Sequence, residues 1–80
     1  MPISLRAAAL RTALERALDD PVHLLRENGG IRIHAPAPPP DDVARWERVF
    51  GVLRTGDVWG GSVTPTGPEV WAVIKDEVST

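Results

Sequence analysis

The chain has 80 residues, no cysteine and a formal net charge of −2. That length makes one domain with a modest core, and the missing cysteines exclude disulfides and thiolate metal sites as supports. A negative balance gives no long-range attraction toward nucleic acid or anionic lipid, so self-association or docking on a partner is the remaining route to extra stability.

The basic residues are all Arg except Lys75, and Ala and Pro are abundant. That usage points to a GC-rich bacterial or phage genome. No apolar run approaches the roughly 18 residues of a membrane span. Arg6 and Arg11 interrupt the N-terminal apolar pattern, unlike the continuous centre of a signal peptide. The expectation is a cytoplasmic protein with no membrane partner.

Ser4 suits an N-cap, and Ile3, Ala7, Leu10, Leu14, Ala17 and Leu18 fall within about 100° on a helical wheel. The opposite side carries Leu5, Ala8, Ala9 and Thr12. Alanine there either reflects helix propensity or lets a second helix approach closely. Asp20 followed by Pro21 then predicts the start of a second helix, with Val22, Leu24 and Leu25 as its apolar side. Asn28-Gly29-Gly30 is read as its end. Ile31 to His34 alternates as a short strand, and Ala35 to Pro40 reads as a stiff connector.

A third helix is predicted from Asp41, the expected N-cap, to Thr55-Gly56. Val43, Trp46, Val49, Phe50 and Leu53 form its apolar stripe, while Arg45, Arg48 and Val52 lie on the far side. Asp57 to Ile74 then reads as a β-hairpin with Thr64-Pro65-Thr66-Gly67 at its tip. On its second arm Val70, Ala72 and Ile74 share one face, and Glu69, Trp71 and Val73 share the other. Both faces are apolar, unlike a strand with one side in water. A bulge at Gly60-Gly61 is one way to bring Trp59 and Trp71 to the same side. Without it, one tryptophan stays on the face turned from the helices.

The expected fold is α+β: three helices on a small antiparallel sheet, in the order αα-β-α-ββ, with a C-terminal β-hairpin. Residues 1–75 form the single domain and 76–80 a polar tail. The expected core is Leu10, Leu14, Leu18, Leu24, Leu25, Ile33, Val43, Trp46, Val49, Phe50, Leu53, Val70, Ala72 and Ile74.

No catalytic constellation stands out. Gly60-Gly61 lacks the lysine and the strand-to-helix setting of a phosphate loop. Ser4, Ser62 and Ser79 lie in no nucleophile-elbow pattern. Asp19-Asp20 and Asp41-Asp42 sit where helix caps belong, and His34 has no partner that the sequence names. The expectation is a non-enzymatic protein without metal or cofactor.

Tryptophan and arginine are enriched at binding hot spots. The reading is therefore a protein–protein interaction module that presents an apolar hairpin face to a copy of itself or to a larger protein. Its candidate partner-binding residues are Trp59, Trp71, Val73, Arg45 and Arg48. The rival expectation follows from a helix that precedes a hairpin, which loosely resembles the ending of a winged-helix domain. That resemblance implies a DNA-binding regulator with Arg45 and Arg48 on the recognition helix. The uncharged hairpin tip and the negative net charge speak against it, since phosphate neutralisation supplies most of such affinity.

Overall fold

Leu, Ala, Arg and Glu favour helix strongly, and in the computed structural model, which describes residues 5–75, helix α1 spans Leu5–Leu18. Its buried residues are Ala7, Leu10, Leu14, Ala17 and Leu18, the stripe that the wheel predicts. Ile3, the Ser4 cap and the 76–80 tail lie outside the described residues. Asp19 ends α1 in the left-handed region at φ 54°, with its N–H donating to Glu15 O at 2.8 Å. Aspartate is one of the few residues that tolerates this conformation.

The segment after Pro21 is a strand. β1 spans His23–Glu27 and pairs antiparallel with β2, Gly30–Pro36. Asn28-Gly29 is the two-residue loop of a hairpin rather than the end of a helix, and Gly29 supplies the positive φ of 88°. So the described residues form two helices and four strands, where three helices were expected. The physical reason is length: the stretch between Pro21 and Asn28 is too short for a stable helix, whereas as a strand it pairs with β2 along its whole length.

Helix α2, Val43–Leu53, begins one residue later than expected. Asp42 is the N-cap, and its side chain accepts from Arg45 N at 3.2 Å. The proline connector is tied at both ends. Ala37 N donates to Pro68 O at 3.0 Å, and Trp46 Nε1 donates to Pro39 O at 3.0 Å. β3, Val58–Thr64, and β4, Gly67–Lys75, form the second hairpin, as read from the sequence. At its tip Thr64 Oγ1 accepts from Thr66 N and donates to Gly67 O at 2.7 Å, while Pro65 presets the turn.

The sheet is antiparallel throughout, in the order β1-β2-β4-β3. Ile31, Ile33, Ala35, Val70, Ala72 and Ile74 alternate onto one face and are buried with the stripe of α1 and with Val49 and Leu53 of α2. Both helices therefore cover one side of the sheet. α1 packs on α2, and a shallow cleft between them is lined by Ala9, Leu10 and Ala13 against Gly51 and Val52.

Three expected core residues are not in the core: Val43 is 63% exposed, Leu25 52% and Phe50 40%. Leu25 lies opposite Arg32, so the alternation turns it away from the helices. Val43 and Phe50 lie on the flank of α2 beyond Val49, past the reach of α1 and the central strands. Leu24 and Trp46 are half-buried at the margin of the core.

The root of the second hairpin is pinned by Asp57. Its carboxylate accepts from Lys75 N at 2.8 Å and from Arg6 Nη2 at 3.2 Å. The Lys75 amide first, and the Arg6 guanidinium second, hold this carboxyl below its ordinary pKa. β3, the start of α1 and the end of β4 are thereby held together.

Candidate functional site

The β3–β4 register runs without a break from Val58↔Val73 to Thr64↔Gly67. No bulge interrupts it at Gly60-Gly61, so Trp59 and Trp71 take opposite faces. Trp59 lies opposite Ala72 on the helix side, and Trp71 lies opposite Gly60 on the open side.

On the open side Trp71 is half-buried and has partners all round. Its Nε1 donates to Ser62 Oγ at 3.0 Å, and the Arg32 guanidinium stacks over its ring at 4.7 Å. Gly60 makes room for the indole: a Cβ there would meet Trp71 Cζ2 at 3.0 Å. Arg32 in turn lies 3.7 Å from Glu27, and His34 Nδ1 lies 3.6 Å from Glu69 Oε2 with the His23 ring beside it. The polar groups of this face pair with one another, while Leu25 and Val58 stand exposed beside them.

On the helix side Trp59 is 42% exposed, and its indole N–H has no hydrogen-bond partner among the described residues. Its ring meets Phe50 edge-on at 5.9 Å, and Phe50 meets Trp46 at 5.2 Å. Between these rings, the connector residues Ala37, Pro38 and Pro40, and β3 runs an apolar groove of about 530 Å³. Gly61 and Val70 line it, and Val63, 87% exposed, stands at one end. Val43 and Pro40 extend the same surface outward over α2. This contiguous apolar surface makes the groove the candidate site.

Two features of the groove come from the chain's own chemistry. Gly61 has no side chain to fill it, and a Cβ would meet Glu69 O at an ordinary 3.5 Å. The fold thus leaves room that the residue does not use. Along its rim Glu47 and Arg54 flank Phe50 and Trp59, one charge of each sign.

Of the residues singled out in the sequence, only Trp59 borders this groove. Trp71 and Val73 belong to the open face, where Val73 lies opposite Arg32 and Val58. Arg45 is drawn back to its own cap, with Nε 3.3 Å from Asp42 Oδ2. Arg48 is exposed, and both arginines lie on the flank of α2 turned from Phe50. The structure does not bring these five residues together. Phe50, Val43 and Trp46 escaped attention because a wide apolar stripe reads as core. The available signal was the uncharged run Val58 to Thr64, with two glycines and no proline, which is unusual for a strand with a free edge.

Among the described residues, no helix is long and apolar enough to cross a membrane, and no cluster of three His, Asp or Glu side chains is placed to hold a metal ion. Comparison of the chain with protein-family models, with curated proteins and with solved structures gives no match in any of the three.

Proposed function

We propose that this chain is a non-enzymatic interaction module whose working surface is the α2–β3 groove. One observation carries the reading: Trp59 and Phe50 touch edge-on while 42% and 40% exposed, and Val43 and Val63 on the same side are exposed with them. Aromatic rings with a polar rim are the usual anchors of protein interfaces. The groove offers shape and apolar area but no paired acid and base, so binding suits it better than catalysis. The candidate surface narrows to Trp59 from the original five residues and gains Phe50, Trp46, Val43 and Val63.

A photoreactive phenylalanine analogue placed at Phe50 tests this in cells that carry the gene. Irradiation is expected to yield a covalent protein adduct from position 50 and none from position 25, which is more exposed and lies on the open face. Equal labelling from both positions, or no adduct at all, overturns the reading.

A further inference from the structure

The two edges of the sheet differ. β1 carries Arg26 and Glu27, charges of the kind that discourage edge-to-edge pairing. β3, Val-Trp-Gly-Gly-Ser-Val-Thr, carries none. The two-residue loop makes Thr64↔Gly67 a hydrogen-bonded pair, so Ser62, Gly60 and Val58 also turn their backbone groups toward β4. Trp59, Gly61 and Val63 turn theirs outward, where no strand lies.

The geometry points to a second copy of this chain as the occupant, joined β3 to β3 in antiparallel fashion around a two-fold axis at Gly61. This deepens the proposed function and rests on it. In the centred register Gly61 faces Gly61 of the other copy, and Trp59 of each faces Val63 of the other. Each outward residue then exchanges both of its backbone bonds. Shifting the register by one pair in either direction leaves Trp59 or Val63 without a mate. An isologous contact of this kind closes on itself, which keeps an uncharged edge from growing into a fibre.

Charge complementarity supports the same axis. The two-fold stands perpendicular to the sheet, so the two α2 helices lie on one side and run antiparallel. Glu47 and Arg54 sit seven residues apart on the flank of α2 beside β3. Reversal brings Glu47 of one copy toward Arg54 of the other, twice. A stable pair buries about 800 Å² per partner. An edge strand alone falls short of that, but the exposed parts of Trp59, Phe50, Val63 and Val43 lie on the same side and add to it.

The full chain, followed by light scattering behind size exclusion across a concentration series, decides the matter with three variants. The wild type is expected at twice the chain mass. Val63→Lys is expected at the monomer mass with an unchanged circular dichroism spectrum, because that side chain is already 87% in water. Gly61→Cys, in a chain without other cysteines, is expected to form a disulfide dimer under air, since facing residues at the axis lie about 5.5 Å apart at Cα. Val58→Cys is expected to stay unlinked, because its two copies stand about 20 Å apart. A monomeric wild type at all concentrations, or a dimer that survives Val63→Lys and leaves Gly61→Cys unlinked, overturns the pairing. The adduct from position 50 then separates the two conclusions. Two copies of the chain support self-pairing, whereas an adduct with a different protein leaves the interaction surface standing and rejects the second copy.

Discussion

Trp59 and Trp71 sit in one hairpin, each beside a valine and each in a regular ladder, yet they live in different environments. Trp71 has Ser62 for its N–H, Arg32 over its ring and a glycine beneath it. Trp59 has only Phe50 against its edge and open groove beyond. The difference teaches that residue type does not assign a role. Face parity, set by the register, makes one tryptophan a structural plug and leaves the other half in water beside the groove.

That contrast is open to attack. The largest effect is expected from Trp71→Ala, about 3 kcal/mol of lost stability in urea unfolding, because the plug and its bonds go together. Trp59→Ala is expected to cost about half as much, since less of its ring leaves water on folding. Equal losses would erase the distinction. The neighbouring glycines give a sharper contrast from the same chemical change. Gly60→Ala pushes a methyl group against a pinned indole and is expected to cost about 1–2 kcal/mol. Gly61→Ala meets nothing closer than 3.5 Å and is expected to be neutral or to stabilise by about 0.5 kcal/mol.

Ser62→Ala removes the acceptor of the Trp71 N–H, with an expected loss of about 1 kcal/mol. A value near zero would mean that the stacked Arg32 and Gly60 suffice to hold the ring. The smallest effect concerns the hairpin root that keeps both faces in place. The Asp57 carboxyl titrates lower in the folded chain than in the unfolded chain, so its contribution is complete above the unfolded value. It is lost as pH falls through the ordinary carboxylate range toward the folded value. Asp57→Asn is therefore expected to lower the midpoint of thermal unfolding at pH 7 and to converge with the wild type in acid. A pH-independent difference would show that the Lys75 and Arg6 bonds do not depend on charge.

Much of the molecule was legible in the chain because local chemistry suffices for it. The α1 stripe, the α2 helix and the Thr64 to Gly67 turn follow from helical spacing, an acidic cap and a Pro-Thr-Gly tip. The candidate site was legible only in part: Trp59 was found, but Phe50 and Val43 were assigned to a core that does not reach them.

Sequence alone determined the α+β class, the second hairpin and most of the buried residues, since these rest on periodicity within single elements. Tertiary structure decided the rest. Asp20 to Gly29 carries a helix-start signal and a hairpin loop at once, and only pairing with β2 resolves the conflict, because a strand draws its bonds from outside its own segment. The faces of the two tryptophans needed the register, since one extra residue in β3 would turn Trp59 to the side of Trp71. The exposure of Phe50 needed the finite width of the layer beneath α2, a property of how many strands and helices assemble that no single segment contains.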